Sequence, residues 1–188
     1  MAAASDKDDI KQLWDIGLTD KEVYSIGCIV AYWGSLEQEI FLQTLHTYHE
    51  AAVSKGDDLP KAMNNLNFSE VLELWKERVV DVTDGDRKNI LTKQYERLVH
   101  CSEFRNALIH GMWDWDKNDP GTLITTRIKQ KKILHTTFEP SALQDFSTTL
   151  GEINLLIRYP GGFAELMEKE GGFVNTAALR RIRLDRDK

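Results

Sequence analysis

The densest chemistry in the sequence lies in ten residues, Ser102-Glu103-Phe104-Arg105-Asn106-Ala107-Leu108-Ile109-His110-Gly111. An imidazole takes or gives a proton near neutral pH, and a guanidinium offers a planar fork to phosphate oxygens. On a helix, at about 100° per residue, Glu103, Asn106 and His110 fall within roughly 60° of one another, because their steps are three and four. Arg105 is turned further round, yet its side chain is long enough to bend toward the same place. The other positions of this helix, Leu91, Tyr95, Leu98, Cys101, Leu108 and Ile109, are spaced for burial. Buried polar groups cost free energy without partners, so the polar stripe must face a cleft, a second subunit or solvent. A plainer account fits the same residues. A histidine in the last turn meets the negative end of the helix dipole, and Gly111 stops the helix as a left-handed cap. Arg105 then pairs with a neighbouring acid, and Asn106 ties down a loop.

Other chemistry is weaker. His46 and His49 are three apart with Glu50 beside them, but there is no His-Glu-x-x-His pattern or second ligand cluster, so no metal is expected. Gly161-Gly162 and Gly171-Gly172 lack the strand and the lysine of a phosphate-cradling loop, and no Gly-x-Ser-x-Gly elbow is present. Cys28 and Cys101 sit in apolar helical patterns and read as small buried hydrophobes. Trp113 and Trp115 alternate with acids, which puts both indoles on one strand face and favours core packing over base stacking. No cofactor is expected.

The chain has 188 residues, enough for one domain with or without a terminal appendage. Its 24 Lys and Arg against 30 Asp and Glu give a net charge of −6, which argues against broad, charge-driven nucleic-acid binding. The cations are uneven, however. Arg127, Lys129, Lys131 and Lys132 form one group, and Arg180, Arg181, Arg183 and Arg186 another. Each is a solvated face or, alternatively, a local phosphate-binding rim. Met1 to Asp9 has no basic or apolar leader region, and no apolar run approaches membrane length, so the expected setting is the reducing cytoplasm, without membrane contact.

The elements that must position the stripe follow from periodicity. A short helix is expected from Asp6 to Ile16, stopped at Gly17. Thr19 and Glu22 form a capping box that opens a long second helix, running to about Ala52. Val23, Ile26, Val30, Trp33, Leu36 and Ile40 make its apolar face, and Thr44 interrupts it. Residues 54–67 read as a polar loop, and Ser69 caps a third helix ending near Val80. The fourth helix runs from near Arg87 to His110. Met112 to Trp115 then alternates, Asn118-Asp119-Pro120-Gly121 is a turn, and Leu123 to Phe138 is strand-like. A fifth helix spans Ser141 to Arg158. The expected architecture is therefore mainly α, an up-and-down bundle of four or five helices over 1–160, with a small antiparallel β insert at about 112–138. Residues 161–188 are a tail or short helix able to bind a partner.

Arg105-Asn106-Ala107-Leu108-Ile109-His110-Gly111 resembles the signature of the HEPN superfamily, an Arg, a polar follower and a His a few residues on, near the end of a bundle helix. Trp33-Gly34-Ser35-Leu36-Glu37 is similar to the opening helix of many such proteins, where an acidic residue faces the motif. The resemblance covers mainly Thr19 to Gly111. It implies a helical bundle, often a homodimer, and in many members a metal-independent RNase used as a toxin, in phage defence or in RNA processing. His110 would then be the general acid or base and Arg105 the phosphate clamp. Asn106 would orient His110 or the scissile phosphate. Glu37 would align Arg105 or His110, unless it is simply a surface acid. One chain supplies one His and one Arg, so a homodimer packed through the fourth helix is required, with RNA as substrate and room for a protein partner or antitoxin. Two features depart from the pattern. Met112 stands where some toxin members carry a tyrosine, and the β insert is not part of the minimal bundle. A catalytically inactive bundle that binds nucleotide, RNA or protein through the same cleft is the alternative, and a purely structural helical protein is the third.

Overall fold

Thr19 and Glu22 start the first helix as their spacing requires. Glu22 Oε2 accepts from Thr19 N at 2.7 Å, and Glu22 N donates to Thr19 Oγ1 at 3.3 Å. The computed structural model describes residues 17–55, 59, 63, 67–116, 118–139 and 141–169. The expected helix at Asp6–Ile16, most of the loop after Lys55, and the Arg180–Arg186 cations lie outside the described residues.

The described chain is mainly helical, with one small sheet. In order come α1 (Asp20–Lys55), α2 (Phe68–Trp75) running on into a π-helical turn (Lys76–Val80), and α3 (Gly85–His110). Strands β1 (Met112–Asp116), β2 (Asp119–Lys129) and β3 (Lys132–Phe138) follow, then α4 (Ala142–Arg158) and α5 (Gly162–Lys169). The sheet is antiparallel in the order β1-β2-β3, as the alternating pattern predicts. Gln130 and Lys131, both left-handed at φ 51° and 64°, turn β2 into β3, and Lys129 is paired with Lys132. No helix among the described residues is long and apolar enough to cross a membrane.

The residues fall into two compact units. The first holds the described parts of 1–38 and 97–151. Its core is Ile29, Trp33, Leu36, Leu98, Leu108, Leu123, Phe138 and Leu150. The expected face of α1 holds at Trp33 and Leu36 but not in the first turns. Ile29 is fully buried, whereas Val23 and Val30 are half exposed, and Ile26 is only partly covered. The buried row is Ser25, Ile29, Trp33 and Leu36, at steps of four, four and three, and so equally helical. Thr125 of β2 is 1% exposed, and its Oγ1 is buried without a hydrogen-bond partner. An orphaned hydroxyl costs more than a methyl in its place, so Thr125→Val should stabilise the protein by about 1 kcal/mol. A higher denaturant midpoint at unchanged m-value checks this.

The second unit holds the described parts of 39–96 and 152–188, with Ile40, Leu72, Trp75, Val80, Leu91 and Ile157 in its core. Thr44 continues the buried row of α1 instead of breaking it, because its hydroxyl donates to Ile40 O at 2.7 Å. Asn67, not Ser69, stands at the N-cap of α2, where the Ser69 hydroxyl turns back to Asn67 Oδ1. The helix α3 starts at Gly85, whose φ of +64° suits only glycine without strain. Glu165 of α5 gathers Lys169 Nζ at 2.7 Å, Gly161 N at 2.6 Å and Arg87 Nη1 at 2.9 Å. The Lys169 hydrogen bond, with help from Gly161 and Arg87 and against the cost of burial, holds its carboxyl down to about 2. The folded-state value is thus depressed, so this stabilisation is complete above the ordinary carboxylate range and fades as pH falls from about 4.5 toward about 2. The stability gap between the wild type and Glu165→Gln should close over that window in acid titrations followed by circular dichroism.

Candidate functional site

The end of α3 is fixed by an aromatic cluster in the first unit. Phe104 meets Phe138 edge-on at 4.8 Å and Phe146 at 4.4 Å, and Trp113 lies 5.8 Å from Phe138. Such pairs add about 0.5–1.5 kcal/mol each beyond their area burial. Trp113 therefore packs as the alternation predicts, while Trp115 is half exposed and its ring lies against Gly17. With Phe104 turned into the core, the next residue swings about 100° round the helix. The Arg105 guanidinium carbon consequently lies 5.7 Å from the ring centre of Trp33 on α1, within cation–π range.

Two hydrogen bonds extend this contact. Trp33 Nε1 donates to Glu37 Oε1 at 2.6 Å, and Arg105 Nη1 donates to Asn106 Oδ1 at 3.1 Å. Glu37 is thus linked to Arg105 through the buried indole, and no ion pair joins the two among the described residues. Cys101, one turn before Arg105, is buried, and burial pushes its thiol up, away from the reactive thiolate. Cys28 is only partly buried.

His110 is exposed at the last position of α3. It makes no hydrogen bond among the described residues, which leaves both ring nitrogens open. With Asn106, one turn earlier, it lines a groove of about 590 Å³. The other wall is β2, through Thr126, Arg127, Ile128 and Lys129, with Met112 at the edge. This juxtaposition follows from the pairing. Met112, two residues past His110, is opposite Thr126, so the next residues of β2 run alongside the helix end. Lys129 Nζ comes within 3.7 Å of Glu103 Oε1, an exposed pair of small energetic worth. No carboxylate lines the groove.

Gly111 joins the helix to the sheet, for a reason other than the expected one. It is not among the residues with positive φ, so it is no left-handed cap. Instead, a Cβ there would stand 2.5 Å from both the Ala107 carbonyl oxygen and Thr125 Cβ, closer than carbon can approach. Glycine is required by proximity.

The structure therefore brings Asn106 and His110 into one groove and puts Arg105 and Glu37 in an adjoining cluster reached through Asn106. Arg127 and Lys129 line the groove; the sequence offers their run as a solvated face or a phosphate-binding rim, without linking it to His110. The hairpin register is the signal that connects them. His46 is exposed, and the His49 side chain lies outside the described residues. No group of three His, Cys, Asp or Glu among the described residues is arranged to hold a metal ion. Comparison of the chain with family models, with curated protein sequences and with solved structures gives no match.

Proposed function

We propose that this protein is a metal-independent endoribonuclease of the HEPN kind, acting as a homodimer in which the helices bearing His110 meet across a two-fold axis. The observation that carries this reading is the groove in which His110 and Asn106 face Arg127 and Lys129 with no acid on its lining. A phosphodiester needs those properties: cations to hold it and an accessible imidazole to move protons. In the reaction the RNA 2′-hydroxyl attacks the adjacent phosphorus. One histidine takes its proton, and the 5′-oxygen leaves with a proton from a second acid. The products are a 2′,3′-cyclic phosphate and a free 5′-hydroxyl. The second copy supplies the second histidine. Arg105, aimed by Trp33 and Asn106, bears on the negative charge that builds at phosphorus. An up-and-down bundle with the sheet as an insert is the architecture this reading carries, with a cytoplasmic toxin or defence effector as the role.

The test is incubation of the purified full chain with total RNA in EDTA, followed by end-group analysis. Cyclic phosphate termini are expected. Intact RNA over many hours would remove the nuclease reading and leave the purely structural one and the binding-only one, which RNA affinity separates. The Arg105–Asn106 hydrogen bond favours that second reading, since it satisfies part of the fork within the protein.

A further inference from the structure

A second cavity, in the second unit, is lined by Arg78, Arg87, Arg158 and His46, and by no carboxylate. It measures about 360 Å³, at the lower end of the sizes that hold small ligands. The remaining wall has an apolar part with Val82, Leu91 and Ile157, and a polar part with Gln43, Thr47 and Thr83. Three guanidiniums on one small cavity repel one another unless an anion sits among them. Two are partly neutralised beside it, Arg158 by Glu39 at 2.9 Å and Arg87 by Glu165 at 2.9 Å. Arg78 is different, having no carboxylate partner among the described residues.

Arg78 is nonetheless held in place. Its Nε donates to Thr47 Oγ1 at 2.9 Å and its Nη2 to Thr47 O at 3.3 Å, while its guanidinium carbon lies 3.8 Å from the centre of the Tyr48 ring. Nη1 keeps both donors for another acceptor. The backbone that presents it is the π-helical turn Lys76–Val80, closed by Asp81 N donating to Lys76 O at 2.8 Å. Such turns are rare and concentrate at functional sites. A fixed fork without a carboxylate partner, beside an apolar wall, suits a phosphate ester whose organic part fills the wall. We infer that this cavity is a binding site for a small organophosphate, a phosphate group on an apolar or aromatic body, held by Arg78. The site shares no residue with the His110 groove and does not depend on the nuclease reading.

Calorimetric titration of the full chain with phenyl phosphate and with adenosine 5′-monophosphate tests this, with inorganic phosphate as the comparison. At least one of the two esters should bind with Kd below about 1 mM, and inorganic phosphate at least about tenfold more weakly, for it leaves the apolar wall unfilled. Methyl NMR shifts at Val82 and Ile157 should report the binding and place it in this cavity. Arg78→Ala should weaken it by about tenfold or more, and Arg78→Lys, which keeps the charge and a stem against Tyr48, should also lose affinity because the fork is gone. The site is refuted if neither ester saturates those methyl shifts by roughly 10 mM. It is equally refuted if inorganic phosphate binds as tightly as the esters, or if folded Arg78→Lys binds like the wild type.

Discussion

His110→Ala is expected to lower RNA cleavage by about 100- to 10,000-fold, the usual share of a positioned acid–base group, while leaving the protein folded. The exposure of the ring makes this a clean experiment. His110 makes no hydrogen bond among the described residues, so little except proton transfer is lost with it; surface changes of this sort usually stay within about 0.5 kcal/mol. Arg105→Ala should also suppress cleavage, but it strips the cation from Trp33 and a donor from Asn106, so some stability goes with it. Labelled RNA with defined ends, cleaved in EDTA, gives the rates, and thermal melts give the folding control. Full cleavage by both variants would end the nuclease proposal. Unchanged RNA affinity in His110→Ala with no turnover in the parent would select the binding-only reading instead. If the histidine were merely a helix end, its loss would lower only the stability, by the few tenths to about 1 kcal/mol that a dipole contact provides.

The second large effect is structural. Gly111→Ala places a methyl 2.5 Å from a backbone carbonyl of α3 and 2.5 Å from the Cβ of the central strand. Neither neighbour is the flexible end of a side chain. Relief requires the sheet to slide relative to the helix end, and overpacking of this severity costs about 1–3 kcal/mol or more. The groove should suffer with the fold, because the Met112–Thr126 register brings Arg127 and Lys129 beside His110. Chemical denaturation measures the first loss and RNA binding the second. A variant with wild-type stability would overturn this account of Gly111.

Some of this was legible in the chain itself. The Thr19–Glu22 box, the alternating strands and the Asn106–His110 stripe rest on neighbours within four residues, and local spacing captures those. The first turns of α1 depart from the expected face for a physical reason, while Trp33, Leu36 and Ile40 keep it. Val23, Ile26 and Val30 make as good a helical row as Ser25 and Ile29, and composition favours the wrong one because Ser25 is polar. Tertiary contact decided between them. Gly111 shows the same limit: its glycine answers to Thr125, fourteen residues away, not to the local cap. The groove itself was invisible to periodicity, because antiparallel register is what brings the basic run to the histidine.

The hairpin tip carries one more consequence. Gln130 and Lys131 occupy left-handed backbone that neither favours, and the pair they connect is two lysines, of which Lys129 reaches Glu103 at 3.7 Å. Like charges placed opposite each other on a sheet are destabilising, as at this corner. Dissolved salt and a bound polyanion should therefore relax it by the same route while competing with each other for the privilege. Amide exchange at the tip should slow when salt is added to the free protein. If the proposed RNA binding holds, exchange should slow again when RNA is added at low salt, and less so at high salt.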